Sequence, residues 1–458
     1  MPSGPRVNYE ELARKFRQHL LKGVSNAADA CRSLDISQPT FSRVVSRYKS
    51  EFLSVGRASK TQYALRREIP GVGQSVVVHQ ISEQGQTLKL GSLHGIEPKD
   101  EFYFESENPE RLPSQFFDDL PYFLNDLRPS GFLGRLIPQK HLDLQLPKNI
   151  MLWSASDCLH YLTRYGSDLI GNLILGEGAF KKYLQSQSAR KSISQEDRHR
   201  EYPKRAVEVL EYGDPGSSAG GEQPKFSAIV GSVETAVLVK FSSKVETEVG
   251  RRVADLLVCE DISLRVLGRA GRKAAKSEII SGNDQFFLEV ERFDRMGRCG
   301  RRGLVSLETL DAEFVGKGIS SWVERCQGLL EKGLIRREDY NEVRWLELYG
   351  HMIGNTDMHA ANISFFIELP KTVVLAPIYD MLPMLYIPKN DQVVKREFIP
   401  PLPRSGDADV WVGAWEAARE FWRIVGGDDR ISRGFRLIAE DNLRKLDAQK
   451  GLGGLLPG

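Results

Sequence analysis

Apolar residues recur along the chain with two different spacings. In residues 8–50 they return every three or four positions, as on one face of a helix, and in residues 51–69 they alternate with polar residues, as in a hairpin. Residues 71–110 predict short strands separated by glycine and polar turns. From Pro113 to Arg135 the pattern predicts helix again. Its apolar positions there are Phe116, Phe117, Leu120 and Leu124.

The second half of the chain predicts strands first and helices afterwards. Residues 185–205 are polar and charged, which predicts a linker or surface loop. The elements expected beyond it are strands near 225–241, a helix at 245–258, strands near 277–293, helices within 306–354, a strand pair at 363–378 and a helical tail at 408–450. Strands followed by helices, with mixed local connections, predict an α+β fold.

Residues 26–48 predict two helices joined by a short turn. The second helix has Ser37 where an N-cap belongs and Pro39 in its first turn, where the missing N–H costs nothing. One face of this helix is apolar and the other is polar and basic. The apolar positions are Phe41, Val44, Val45 and Tyr48, and the polar positions are Gln38, Thr40, Ser42, Arg43 and Arg47.

The N-terminal residues are basic, whereas the rest of the chain is mildly acidic. Residues 1–69 hold 13 Lys and Arg against 6 Asp and Glu, although the whole chain has a net charge of only +2. The tip of the expected hairpin adds Arg57 and Lys60. We interpret residues 1–69 as a winged helix-turn-helix whose second helix enters the major groove of DNA. The alternative is a helical pair that packs on another protein and leaves its basic face in solvent.

The composition of the whole chain predicts a soluble, intracellular protein. No run of about 18 apolar residues occurs, and the first residues lack the apolar core of a secretory signal, so we expect a cytoplasmic protein without a membrane partner. The cysteines are Cys31, Cys158, Cys259, Cys299 and Cys326. Their scatter argues against both a disulfide framework and a structural zinc site.

The strongest chemical signal is the spacing of Asp357 and Asn362. An Asp followed five residues later by Asn is typical of a kinase catalytic loop, in which the Asp accepts the hydroxyl proton and the Asn helps to hold Mg²⁺. A second apolar run then ends at Asp380, which is well placed as another Mg²⁺ ligand. Each residue alone is more often an ordinary surface or turn residue, so the order of the whole set carries the hypothesis.

Upstream residues complete the expected order of a kinase. The strand from Ala236 ends at Lys240, from where an ammonium reaches the phosphates of ATP, and Glu248 on the next helix is the expected partner of this lysine. The strand that ends at Glu291 and continues to Phe293 is the expected hinge, whose backbone would meet adenine.

Several segments resemble the HipA-type serine/threonine kinase toxin family over roughly residues 113–390. They are Phe116–Pro121, Gly166–Asn172, Ser217–Lys225, Glu291–Arg295, Thr356–Asn362 and Tyr379–Asp380. Because a basic winged head precedes this body, the chain is similar to YjjJ-type members. The resemblance implies a two-lobed, protein-kinase-like body and a toxin kinase of toxin–antitoxin modules that acts on a protein, with aminoacyl-tRNA synthetases as the known targets.

The resemblance also assigns roles to individual residues. It implies that Asp357 is the catalytic base, that Asn362 and Asp380 hold Mg²⁺, and that Lys240 binds the ATP phosphates. His359 would lie beside the nucleotide, and Glu291 to Phe293 would be the hinge. The loop residues Ala219, Gly220, Gly221 and Lys225 would cover the phosphates. The autophosphorylated serine would be Ser217 or Ser218, because the loop is one residue longer than is usual in the family.

We therefore expect four units in the chain. They are a winged helix-turn-helix at 1–69, a HipA-like N-terminal subdomain with linker at 70–205, an ATP-binding lobe at 206–305 and a helical catalytic lobe at 306–458. An antitoxin partner and a homodimer on DNA are further expectations. Two alternative functions remain open, namely a transcriptional regulator with a pseudokinase sensor body and a small-molecule kinase.

Overall fold

The computed structural model describes residues 7–188, 191–211, 223–368 and 372–450. It is a mixed α and β structure. Among these residues, no helix is both long and apolar enough to cross a lipid bilayer.

The first unit, which we call the head (residues 7–69), combines helices with a small antiparallel sheet. Its elements are α1 (Tyr9–Leu20), β1 (Ser25–Asn26), α2 (Ala27–Leu34), α3 (Gln38–Arg47), β2 (Phe52–Val55) and β3 (Gln62–Leu65). The strands lie in the order β1-β3-β2. Phe16 from α1 and Phe41 from α3 pack edge to face at the centre of the helices. The two helices expected within residues 26–48 and the strand pair expected within residues 51–69 are therefore present.

The next unit, the middle region (residues 70–188), contains a sheet in the order β7-β6-β5-β4-β8. Its elements are β4 (Ser75–Ile81), β5 (Thr87–Ile96), β6 (Glu101–Ser106), β7 (Gln115–Phe117), α4 (Tyr122–Asn125), α5 (Gly131–Lys140), α6 (Ala155–Tyr165), β8 (Leu173–Leu175) and α7 (Gly176–Ser188). The head is joined to this sheet without a linker. The N–H of Arg67 donates to the carbonyl of Gly95, and the N–H of Glu97 to that of Leu65, both at 2.9 Å.

The upper lobe carries one antiparallel sheet in the order β11-β12-β10-β9. Its elements are α8 (Arg198–Leu210), β9 (Lys225–Val230), β10 (Thr235–Phe241), α9 (Glu248–Arg269), β11 (Ser277–Gly282) and β12 (Gln285–Glu291). Alternate residues of β10 point to opposite faces of the sheet. Val237, Val239 and Phe241 join the core beneath α8, so Lys240 points to the other face.

The helical lobe completes the chain and packs against α9. Its elements are β13 (Arg295–Met296), β14 (Gly300–Arg301), β15 (Leu304–Ser306), α10 (Leu307–Phe314), α11 (Trp322–Glu331), α12 (Arg337–Met352), β16 (Ser364–Glu368), β17 (Thr372–Leu375), α13 (Ala408–Gly427) and α14 (Arg433–Asp447). The strand pair β16–β17 and the helical tail lie where the sequence predicts them.

Two expectations about local structure are wrong. Phe116 and Phe117 lie in β7 rather than in a helix, because they pair with β6 and pack on Tyr103 and Phe123. Most of the segment expected to be a linker at 185–205 is helical, since α7 runs to Ser188 and α8 begins at Arg198. Tyr202 is fully buried beneath the sheet of the upper lobe, so α8 belongs to that lobe and spans the expected boundary at 205–206.

Candidate active site

Lys240 lies at the centre of a buried ion pair between the sheet and α9. Its Nζ is 2.7 Å and 2.8 Å from the two carboxylate oxygens of Glu260, and it also contacts the carboxylate of Asp380. Lys240 is only 5% exposed and Glu260 is fully buried. Burial alone would lower the pKa of Lys240, but the charges of Asp380 and Glu260 outweigh it and raise that pKa. The ammonium group therefore stays charged beside the cavity.

The expected partner, Glu248, does not form this pair. Glu248 is the exposed first residue of α9, whereas Glu260 lies 12 residues further along the helix, about 18 Å at 1.5 Å per residue. The sequence offers only a weak signal for Glu260, which directly follows the apolar run Leu256–Cys259. An acidic residue buried next to such a run needs a cationic partner.

A tight loop after α12 holds Asp357 and Asn362 in one hydrogen-bonded unit. The Nδ2 of Asn362 donates to the backbone carbonyl of Asp357 at 2.9 Å. The indole N–H of Trp322 donates to the carbonyl of His359 at 3.0 Å and ties the loop to α11. Gly354 has a φ of +74°, which lets the chain turn sharply after the helix.

Asn355 connects this loop to the segment that carries Asp380. Its Oδ1 accepts a hydrogen bond from the N–H of Asp357 at 3.0 Å, and its Nδ2 donates to the carbonyl of Asp380 at 3.4 Å. Asn355 is 3% exposed, so the two bonds are shielded from water. Asn355 is not among the residues that the sequence predicts for the site. Its only signal was its place two residues before Asp357.

Asp380 follows β17 in the left-handed backbone region, with a φ of +52°. The hydroxyl of the preceding Tyr379 forms a hydrogen bond of 2.8 Å with Ser364, which fixes the end of this segment. Burial would raise the pKa of Asp380, but Lys240 and Lys225 outweigh burial and lower it. The carboxylate is therefore ionised at neutral pH.

These side chains line one cavity of about 630 Å³ between the two lobes. The sequence-predicted residues in its lining are Lys225, Lys240, Asp357, His359, Asn362 and Asp380. The Nε2 of His359 is 3.7 Å from a carboxylate oxygen of Asp357. These predicted residues are far apart in sequence, and in the structure they line a single cavity.

The middle region supplies a wall of the same cavity that the sequence analysis did not foresee. Its lining residues there are Asn125, Asp126, Arg128, Ser130, Gly131 and Ile170. The Asp126 carboxylate accepts hydrogen bonds from Ser306 and Thr309 at 2.6–2.8 Å, so it fixes the first turn of α10. No local pattern marks this wall, because it is created by packing between distant segments.

The remaining site residues fall outside the cavity or outside the described residues. Ser217, Ser218, Ala219, Gly220 and Gly221 lie outside the part of the chain that the structure describes.

The expected hinge residues, Glu291 to Phe293, are not among the residues that line the cavity. Glu291 lines a separate cavity beside α8. The ring of Phe293 packs 5.8 Å from that of Tyr379, which does line the site. The assignment of the hinge remains a prediction.

The residues expected to contact DNA are on the surface of the head. Gln38, Ser42, Arg43, Arg47, Arg57 and Lys60 are exposed, and Thr40 is half-buried. Ser37 precedes α3 as expected, but its hydroxyl meets the Thr40 hydroxyl at 3.1 Å instead of capping a backbone N–H. The basic side chains of α3 and of the hairpin tip are thus available for contact.

Comparison with known proteins assigns the family. The curated toxin YjjJ of Escherichia coli (strain K12) is 35% identical over 437 residues, which cover 93% of this chain and 96% of that protein. The chain belongs to the YjjJ-like, HipA-type toxin family. Two family models agree with this assignment: a YjjJ-like toxin middle domain matches residues 72–184, and a HipA-like C-terminal domain matches residues 217–420.

Two solved structures resemble the chain at lower similarity. The first is the complex of HipA, HipB and operator DNA from Shewanella oneidensis MR-1, with 16% identity, a TM-score of 0.49 and coverage of 82% of this chain and 96% of that chain. The second is the Helicobacter pylori proinflammatory kinase CtkA, with 13% identity, a TM-score of 0.36 and coverage of 50% and 92%.

Proposed function

We propose that the protein is an ATP- and Mg²⁺-dependent serine/threonine protein kinase of the HipA toxin type, with a DNA-binding head. The observation that carries this proposal is the meeting of Lys240, Asp357, Asn362 and Asp380 around one cavity. A lysine paired with a buried glutamate, a base and two oxygen ligands are the parts that phosphoryl transfer requires. Membership of the toxin family supports the same reading.

In the proposed reaction Asp357 accepts the proton of a substrate serine or threonine hydroxyl. The hydroxyl oxygen forms a bond to the γ-phosphorus as the bond from that phosphorus to the bridging oxygen of ADP breaks. The N–H of Asp357 donates a hydrogen bond to Oδ1 of Asn355, which fixes the backbone that carries the carboxylate, so the protein contributes orientation as well as basicity.

The residues present fit a magnesium ion. Because the Nδ2 of Asn362 is engaged with the Asp357 carbonyl, its Oδ1 is left as an acceptor, and Asp380 offers an ionised carboxylate. One or two protein oxygens together with phosphate oxygens suffice for Mg²⁺. When bound, Mg²⁺ would neutralise charge on the phosphates.

The nucleotide would extend from the cavity towards the hinge. Lys240 and Lys225 would hold the phosphates, with Ala219, Gly220 and Gly221 covering them, and His359 would lie beside them. Glu291 to Phe293 would meet adenine through their backbone. Autophosphorylation on Ser217 or Ser218 would bring a second dianion near the phosphate site and switch the enzyme off by repulsion.

The head would bind DNA as a winged helix-turn-helix. The basic residues of α3 would enter the major groove, and Arg57 and Lys60 would contact phosphate. A protein substrate such as an aminoacyl-tRNA synthetase, an antitoxin and a second copy on DNA are the partners in this proposal. All of these would be met in the cytoplasm.

A labelling experiment tests the proposal against its alternatives. The purified protein is incubated with ATP labelled on the γ-phosphate and with cell extract, and the protein and metabolite fractions are separated. Label on protein supports the proposal, and label on a metabolite alone would indicate a small-molecule kinase. No transfer, with specific DNA binding intact, would indicate a regulator with a pseudokinase body.

A further inference from the structure

Two segments with charged side chains to which the proposed chemistry gives no role meet each other in the structure. One is the loop of the middle region between α6 and β8, residues 166–172, and the other is the segment after β12 that contains Arg292, Asp294 and Arg295. The Asp168 carboxylate lies 2.7 Å from Nη2 of Arg295 and 3.3 Å from Nη1 of Arg292. We call this set of contacts the clasp.

Backbone groups of the loop strengthen the clasp. Nη2 of Arg292 donates to the carbonyl of Leu169 at 3.1 Å, and Nη1 of Arg295 donates to the carbonyl of Gly171 at 3.0 Å. In return, the N–H of Gly171 donates to the Asp294 carboxylate at 2.9 Å. Gly171 has a φ of +73°, a backbone conformation that favours glycine. The loop is therefore held at several points in one conformation.

The clasp places buried, positively charged arginines beside the carboxylate of Asp168. Arg292, Arg295 and the neighbouring Arg301 are 15%, 7% and 3% exposed at their side chains, whereas that of Asp168 is 58% exposed. Burial and the like charge of Arg295 lower the pKa of Arg301. Loss of Asp168 would leave Arg292 and Arg295 with Asp294 as their shared carboxylate partner, and it would remove the carboxylate that lies 3.8 Å from Arg301. Asp168 is thus the carboxylate that all three arginines share.

The clasp borders the cavity from two sides. Arg292 is the central residue of the expected hinge, and the adjacent Phe293 packs on Tyr379. On the other side, Leu169 is bound by the clasp and the next residue, Ile170, lines the cavity. A shift of the clasp would therefore move both borders of the space in which the nucleotide base is expected.

We propose that Asp168 is a positioning residue for nucleotide binding, through which the middle region holds the hinge in place. This inference rests on the proposed function, because it concerns the same site. It makes the middle region a part of the nucleotide site rather than a separable neighbour of the kinase lobes.

The test compares Asp168→Asn with a matched control, Asp143→Asn, in the full-length protein. Asp143 is an acidic residue of the same region with a 52% exposed side chain that pairs with Tyr165 and Arg164. We measure the Kd for a non-hydrolysable ATP analogue and, separately, KM for ATP and kcat. Asp168→Asn should raise Kd and KM about tenfold, within the range seen for coupling residues, with kcat changed less than about twofold. Asp143→Asn should bind as the wild type does.

Two results would overturn the inference in distinguishable ways. A wild type that binds the analogue and an Asp168→Asn variant with the same Kd would refute the role of Asp168 and leave the proposed function standing. A wild type that binds no nucleotide would refute the proposed function itself.

Hydrogen exchange on the wild type gives a second readout that does not depend on folding of the variant. Residues 166–172 should gain protection together with residues 291–295 when the analogue binds. Protection of 291–295 alone would also refute the role of the clasp.

Discussion

Lys240 on β10 and Glu260 on α9 form a fully buried ion pair with oxygen-to-nitrogen distances of 2.7 Å and 2.8 Å. The pair links the sheet of the upper lobe to its long helix. Lys240 contacts Asp380 at the same time, so one ammonium group joins the upper lobe to the segment after β17. In the proposed function this lysine would exchange part of its contact with Asp380 for the phosphates of ATP.

Glu260→Gln should reduce phosphoryl transfer strongly. Without the second carboxylate, Lys240 would be drawn to Asp380 and misplaced for the phosphates, and a misplacement of this kind costs on the order of 100-fold in rate. Steady-state kinetics with ATP measures the effect, and thermal unfolding verifies that the variant is folded. Glu248→Gln is the control and should stay within about twofold of wild type, because Glu248 is exposed at the start of α9. Equal losses in both variants would contradict the assignment of Glu260.

The residues that line the cavity and that the sequence predicts all have local signals. Lys240 ends an apolar strand, Asp357 and Asn362 have a fixed spacing, and Asp380 follows a second apolar run, so each could be read from its neighbours. The partner of Lys240 could not be found in this way. Several acidic residues lie along α9, and only the packing of the helix against the sheet decides that Glu260 faces the lysine.

The parts of the fold that were missed depend on tertiary contacts. Phe116 and Phe117 are apolar neighbours that fit a helix as well as a strand, and pairing with β6 decides between the two. The polar segment expected to be a linker at 185–205 includes Tyr202, a buried aromatic residue of α8 that anchors this helix to the sheet. The wall from Asn125 to Gly131 has no signal at all in the sequence, since its residues reach the cavity only through the packing of the middle region.

Asn355→Ala should lower kcat with little effect on nucleotide binding. The change removes the acceptor for the N–H of Asp357 and the donor to the carbonyl of Asp380, so the loop loses its link to the Asp380 segment. We expect a decrease in kcat of about tenfold or more from this loss of orientation. Asn341→Ala, at an exposed position on α12, is the matched control. A higher Kd for nucleotide with unchanged kcat would contradict this role.

Asp294→Asn should make the free energy of unfolding less dependent on pH on the acid side. Burial would raise the pKa of Asp294, but Arg292 and Arg295 outweigh it and lower that pKa below its usual range. The ionised carboxylate therefore stabilises the fold above about pH 4, the usual pKa of an unfolded Asp, and this stabilisation is lost as the pH falls through the lower folded value. Urea unfolding between pH 7 and pH 3 should show the difference between variant and wild type shrinking below about pH 4. A difference that grew on acidification would refute the sign.

Arg57→Ala should weaken DNA binding, because the change removes a positive charge that is proposed to contact a phosphate. An arginine at the hairpin tip that neutralises one phosphate releases about one counterion. In a plot of the logarithm of the binding constant against the logarithm of the salt concentration, the slope for the variant should therefore be less steep by about 1. Titration of labelled DNA at several salt concentrations measures this slope. Arg32→Ala is the control, because Arg32 is exposed on α2 and pairs with Asp29. An unchanged slope for Arg57→Ala would place the DNA elsewhere on the head.

The most direct test of the kinase assignment is the intact mass of the protein after incubation with ATP and Mg²⁺. Wild type should gain the mass of a phosphoryl group, and peptide mapping should locate it at Ser217 or Ser218. Asp357→Ala, which retains Lys240, Asn362 and Asp380, should bind nucleotide but gain no mass. Two results would contradict the account of this cavity as a protein kinase site. One is an Asp357→Ala variant that is phosphorylated as fast as wild type. The other is a wild type that transfers phosphate neither to itself nor to any protein of a cell extract.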